Sequence, residues 1–236
     1  MEQIKKMIGD SNNIKITALI FLIFVFTVSS VSAGENDWRL LTEEQQSVLL
    51  NKLSGFQRSV KTFQGDFVEQ RSNTALKSPI HYKGRLFYNS EGLFFMHYLE
   101  PVRHILRVKG GEALFFVEDS TTADVVDISN MQGMANHSSL FVWNPDDFKG
   151  RIWENKNEYR LEDSSGKAGQ KEGGRSIKIY LDRRTLLMQS VRIEDGFGDV
   201  TLISLSNQRV NEELPFYVLN FSLPDGTKIN RMNNLQ

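Results

Sequence analysis

Residues Gly84–Pro101 read G-R-L-F-Y-N-S-E-G-L-F-F-M-H-Y-L-E-P, and their pattern decides the fold. Ahead of the turn, Tyr82, Gly84, Leu86 and Tyr88 alternate with His81, Lys83, Arg85 and Phe87, the period-2 signature of a half-buried strand. Asn89-Ser90-Glu91-Gly92 supplies the turn, with Gly92 free to take positive φ. The return strand, Leu93–Leu99, is apolar or aromatic on both faces except at His97, and Pro101 stops it. Hairpin strands ordinarily leave one face wet and polar. This one cannot. The chain therefore builds a sheet with two apolar faces, each of which must meet more protein or an apolar ligand.

Upstream of the hairpin, Thr42-Glu43-Glu44-Gln45 has the form of a capping box. Leu49, Leu53, Phe56 and Val60 follow at i, i+4, i+7 and i+11, which predicts an amphipathic helix lying on the sheet. Thr62–Arg71 then switches to strand alternation, with Phe63, Gly65 and Phe67 on one face. Downstream, Val102–Val108, Glu112–Val117 and Asp124–Ile128 read as strands, and Arg151–Glu154 with Asn157–Glu162 as a hairpin. Arg175–Asp182, Leu186–Glu194 and Asp199–Arg209 are longer alternating segments joined by turns at 182–185 and 195–198. Pro215–Leu223 and Thr227–Arg231 read as closing strands around Pro224-Asp225-Gly226. Asn130–His137 reads as loop, Leu140–Trp143 as a short helix capped by Ser138-Ser139, and Asp163–Gly174 as a solvated loop. The expectation is a mainly β chain with some α: one antiparallel, barrel-like sheet of roughly 11 to 13 strands under a few helices.

The front of the chain speaks to compartment. Lys5, Lys6 and Lys15 form a basic region, Ile16–Val28 a short apolar one, and Val31-Ser32-Ala33 places small residues before Gly34. This pattern predicts a secretory signal peptide over residues 1–33, cleaved after Ala33. The apolar run falls short of the ~20 residues that span a bilayer as a helix. Residues 34–236 would then form a single domain, long enough for a sizeable core. A formal charge of −1 gives no electrostatic case for nucleic acid. With no cysteine there is neither a disulfide framework nor thiolate chemistry.

Catalytic constellations do not emerge. His81, His97, His104 and His137 contain no pair at metal-ligand spacing. No G-x-S-x-G occurs, Gly166-Lys167 lacks the upstream glycine of a phosphate loop, and Asp195-Gly196-Phe197-Gly198 lies between alternating strands as a hairpin turn. The chain reads as a non-enzyme that needs no cofactor and no metal. What remains is its aromatic load, which fits either an ordinary barrel core or a cavity for an apolar ligand.

Three motifs carry a resemblance. Val60–Gln70 (V-K-T-F-Q-G-D-F-V-E-Q) follows the opening helix. Gly84-Arg85-Leu86-Phe87-Tyr88 runs on to Leu93-Phe94, Tyr98 and Pro101. Phe221–Thr227 (F-S-L-P-D-G-T) closes the chain. In order and spacing they resemble the LolA-like carriers of outer-membrane lipoproteins. The resemblance implies an incomplete antiparallel barrel closed by helices, in a monomeric periplasmic protein of a Gram-negative-type envelope. It implies a carrier that takes an acylated lipoprotein from an inner-membrane ABC transporter, shields its acyl chains and passes it to an outer-membrane acceptor. Shielding is energetically necessary, because each methylene left in water costs ~0.8 kcal/mol and one ~16-carbon chain on the order of 13 kcal/mol. The ligand surface expected from strand parity and motif position comprises Phe63, Phe67, Leu86, Tyr88 and Phe94, together with Met96, Tyr98, Phe115, Phe221 and Leu223. At the position where the family often carries a lid-latching Arg, this chain has Ser90 in one register and Phe95 in another. Two other classes stay open: an envelope sensor or regulatory module on the same half-barrel, and an exported hydrolase with a dispersed site.

Overall fold

The second apolar face is covered by the chain's own C-terminal stretch. The computed structural model describes residues 37–73, 75–128, 145, 148–164 and 175–232. In chain order the first elements are β1 (Arg39–Leu40), α1 (Glu43–Ser59), β2 (Thr62–Ser72), β3 (Ile80–Asn89) and β4 (Phe94–Glu100). Next come β5 (His104–Lys109), β6 (Glu112–Val117), β7 (Thr122–Asp127), β8 (Arg151–Glu154) and β9 (Glu158–Ser164). The last are β10 (Ser176–Asp182), β11 (Met188–Glu194), β12 (Val200–Val210), α2 (Phe216–Leu219) and β13 (Lys228–Met232).

Among the described residues all thirteen strands belong to one sheet, in the order β1-β8-β9-β10-β11-β12-β2-β3-β4-β5-β6-β7-β13. Among the described residues its two edge strands do not pair, so the barrel is incomplete. Every pairing among the described residues is antiparallel except that of β13 with β7. That exception follows from the connection: after β12 the chain returns across the sheet before β13, and a parallel neighbour requires such a crossover.

Parity divides the side chains into two cores. The hairpin register sets Leu86 opposite Met96 and Tyr88 opposite Phe94 on one face, and Phe87 opposite Phe95 on the other. On the first face Phe67, Leu86, Phe94, Met96 and Leu106 join residues of β8–β12 beneath Leu49 and Leu53 of α1. On the second, Phe87, Phe95, Ile105, Leu114 and Phe116 pack against Leu214, Val218, Phe221 and Leu223. We refer to these as the helix face and the strap face, the strap being residues 211–225.

The strap corrects the expectation of a strand at Pro215–Leu223. Pro215 fixes the entry, Phe216–Leu219 makes one helical turn, and Asn220 caps it by donating its backbone N–H to the Phe216 carbonyl. Val218 on that turn is buried with Leu214 before it, and Phe221 after it packs against the same core. Gly84 is required by close approach: a Cβ there would lie 2.2 Å from the His97 carbonyl oxygen and 2.7 Å from the Phe67 ring. The stretches read as signal peptide (1–33), loop (130–137) and short helix (140–143), and most of the stretch read as the 163–174 loop, lie outside the described residues, while Asp163 and Ser164 end β9.

Candidate functional site

Helix α1 begins as the capping box predicts. The Gln45 N–H donates to Thr42 Oγ1 at 3.3 Å, and the Thr42 N–H to Gln45 Oε1 at 3.1 Å. Its ends are tied down by the Leu41 N–H donating to the Ile152 carbonyl at 2.9 Å and by the Lys61 N–H donating to Asn211 Oδ1 at 2.7 Å. Between these ties only Leu49, Leu53 and Ser54 of the helix are fully buried. Leu50 and Phe56 are half-buried against the same core, and Phe56, Gln57 and Val60, in the last turn and cap, also border an opening.

That opening is a crevice of about 160 Å³ between helix and sheet. Leu53, Phe56, Gln57 and Val60 line its helix side, Phe63, Leu86 and Tyr88 its floor, and Leu205 and Val210 of β12 a flank. Leu181, Leu186, Leu187 and Met188 close the far wall. Every lining residue but Gln57 is apolar or aromatic. Burial pushes the Tyr88 hydroxyl pKa upward, which keeps that group neutral.

The far wall depends on an irregular turn. Asp182 Oδ1 accepts from the backbone N–H of Arg184 and of Thr185 and from the Thr185 hydroxyl, at 3.0, 2.8 and 2.9 Å. Hydrogen bonds from Thr185 are the first cause of an Asp182 pKa held below its ordinary value. The turn leaves Leu186 at φ 61°, a left-handed conformation that favours glycine or asparagine. With the register shift beside Leu181, this lets three consecutive residues, Leu186, Leu187 and Met188, reach one hollow.

The structure divides the residues expected to contact ligand. Phe63, Leu86 and Tyr88 line the crevice. Phe67, Phe94, Met96 and Tyr98 share the helix face but are fully buried in packed core. Phe115 also shares that face, opposite Leu106, and is 46% exposed away from the crevice. Phe221 and Leu223 are on the strap face, because the C-terminal chain runs behind the sheet. Neither register of the family Arg yields a latch on α1. Ser90 is an exposed turn residue whose N–H donates to the Lys61 carbonyl at 2.8 Å, and Phe95 is buried beneath the strap.

Glu69 was not anticipated. On β2 it follows Phe63, Gly65 and Phe67 in parity, faces inward and is 1% exposed. Its carboxylate accepts from the Tyr98 hydroxyl at 2.8 Å and from Arg71 Nε at 2.5 Å. Arg71 lies 4.8 Å above the Tyr82 ring, and Tyr98 stacks on His104 with centroids 4.0 Å apart. Burial drives the Tyr98 pKa upward, so its proton stays to donate. This satisfied polar cluster ends the apolar stretch of β2. His97 and His104, on adjacent strands, turn to opposite faces: His97 is 2.6 Å from Glu118 Oε1 on the strap side.

No protein-family model matches the chain, and no curated protein matches it. Among solved structures it is similar to a LolA superfamily protein of Nitrosomonas europaea, at 12% identity over 72% of this chain and 94% of that one, with a TM-score of 0.39. It is similar to the MucA/MucB complex of Pseudomonas aeruginosa at 13% identity, over 75% of this chain and 61% of that one, with a TM-score of 0.42. It is also similar to the lipoprotein LppX of Mycobacterium tuberculosis at 7% identity, over 74% of this chain and 99% of that one, with a TM-score of 0.38. At these identities and TM-scores the likeness assigns no function, which is argued from the crevice.

Proposed function

We propose that this protein binds an acylated molecule outside the cytoplasm and shields the acyl chain in the crevice between α1 and the sheet. The observation that carries the reading is the lining itself: twelve apolar or aromatic side chains from a helix and the sheet surround one opening, relieved only by Gln57. An apolar hollow of this kind gains by taking hydrocarbon and offers little to a polar ligand. In its fuller form the proposal is a monomeric periplasmic carrier. It receives lipoprotein from an inner-membrane ABC transporter and delivers it to an outer-membrane acceptor, as the motif resemblance implies.

The resting crevice is smaller than that cargo. A hollow near 150 Å³ accommodates a guest of about benzene size, and sites for larger ligands run to roughly 300–1,000 Å³. A long acyl chain therefore enters only as α1 or its side chains yield. Thin anchoring of the helix, through Leu49, Leu53 and Ser54, is compatible with that movement.

The test is binding of a dansylated fatty acid to wild type, Phe56→Glu and Met188→Glu. Both positions are half-buried in the crevice, so the substitutions can be made without placing a charge in packed core. Affinity should fall by about tenfold or more, roughly 1.4 kcal/mol, while circular dichroism stays unchanged. Equal binding by all three proteins would refute the reading.

A further inference from the structure

A second hollow, of about 420 Å³, opens at the rim of the strap face and has the opposite character. It exists because β12 slips register against β2 between Ser206 and Arg209, with Asn207 at φ 50°. Such bulges re-aim side chains. Here Asn207 Nδ2 donates to Asp66 Oδ2 at 2.7 Å, and Asp66 Oδ1 lies 3.6 Å from Arg85 Nε. Arg209 Nη2 donates to Gln64 Oε1 at 3.1 Å, and its Nη1 lies 3.2 Å from Glu212. Gln64 is only 5% exposed and is itself fixed by donating to the Glu213 carbonyl at 3.2 Å. Two guanidiniums and a carboxylate are thus held around one cavity, with Phe87 in its wall. The Arg85 and Arg209 side chains are each 58% exposed, so both keep N–H donors for an incoming group. Gln208, which also lines the hollow, has a buried Oε1 with no hydrogen-bond partner.

The same hollow is bounded by Pro215, and the next residue, Phe216, is 79% exposed. Tyr217 and Leu219 are exposed beside it on the single turn of α2. Guanidiniums bind phosphate, a carboxylate binds an ammonium, and an exposed aromatic crest enters hydrocarbon at an interface. We propose that this corner of the strap face docks on a phospholipid bilayer. The headgroup phosphate sits against Arg85 and Arg209 with its amine toward Asp66, and Phe216 and Leu219 enter the acyl layer. A soluble phosphate compound would satisfy the arginines but leave Phe216 in water, which is why a bilayer is the occupant favoured here. This docking is separate from the acyl crevice, which opens on the other face of the sheet.

The experiment floats the full chain with vesicles of phosphatidylcholine and phosphatidylethanolamine. Wild type should rise with the vesicles, and Phe216→Ser and Arg85→Ala/Arg209→Ala should each partition about tenfold less. Phe216 is on the surface, so Phe216→Ser tests the site without threatening the fold; dansylated fatty-acid binding and melting temperature should stay at wild-type values. Wild type remaining with the soluble fraction, or Phe216→Ser floating equally well, would overturn the proposal. Binding of soluble phosphoethanolamine without vesicle binding would overturn it too, in favour of a free-phosphate site. Failure of the fatty acid to bind would count against the crevice alone.

Discussion

Leu186 shows most directly how one residue serves the candidate site at a local cost. It is buried and lines the crevice, yet its φ of 61° is one that a bulky side chain adopts unwillingly. The other non-glycine residues at positive φ among the described ones, Asn207 and Asn211, are of the type that tolerates it. Leu186→Ala should therefore lose about 2–4 kcal/mol, from lost burial plus the cavity left behind. Glycine ordinarily ranks roughly 0.5–1 kcal/mol below alanine through its greater unfolded-state freedom. At this position relief of a left-handed conformation worth about 1–2 kcal/mol opposes that loss. Leu186→Gly should then prove at least as stable as Leu186→Ala by urea denaturation. A glycine variant weaker by the usual margin would show that the backbone stores no such cost.

At the scale of elements, the turn that carries Leu186 makes a prediction in pH. Asp182 accepts three hydrogen bonds in its ionised form, and its pKa is held below the ordinary value, with the Thr185 bonds as first cause. A carboxylate whose folded pKa is depressed contributes stability that is present above its unfolded pKa and lost as pH falls through the folded one. The stability gap between wild type and Asp182→Ala should be full at neutral pH and narrow below about pH 4. Denaturant midpoints across that range would check it, and a gap independent of pH would mean the turn does not rely on the charge. How well each element could be read from the sequence follows from locality. The capping box of Thr42 and Gln45 and the alternation of β3 are short-range patterns, and both hold in the structure. Pro215–Leu223 reads as strand in the sequence, whereas Phe216–Leu219 makes one helical turn over the second core. Glu69 was visible by parity with Phe63, Gly65 and Phe67, but its Tyr98 partner comes from β4, across a register shift that local sequence does not report. The far wall of the crevice was least legible. Leu186, Leu187 and Met188 meet Phe63 only because β12 lies between β11 and β2 in the sheet.

For the whole molecule the issue is how a sheet with two filled faces can admit a guest. The strap face is packed by the chain's own residues, and most of the helix face is as well, leaving the hollow of about 160 Å³ beneath the end of α1. A guest of about six carbons matches that space. Each further methylene gains ~0.8 kcal/mol only if it too leaves water. Affinity across a series of fatty acids should then climb with chain length, and beyond the first few carbons the climb requires α1 to give way. Hydrogen exchange reports where that happens. With a short guest, protection over 43–59 should hold or rise. With a sixteen-carbon guest it should fall in that helix, while β2–β4 stay protected, since the sheet contributes the largest buried side chains, Phe67 and Phe95. With only Leu49, Leu53 and Ser54 of α1 fully buried, the helix is the element expected to give way, and its ties at Leu41 and Lys61 would keep it attached. If protection instead rises throughout the chain with the long guest, the acyl chain is held without displacing the helix. The crevice beneath α1 would then not be where it lies.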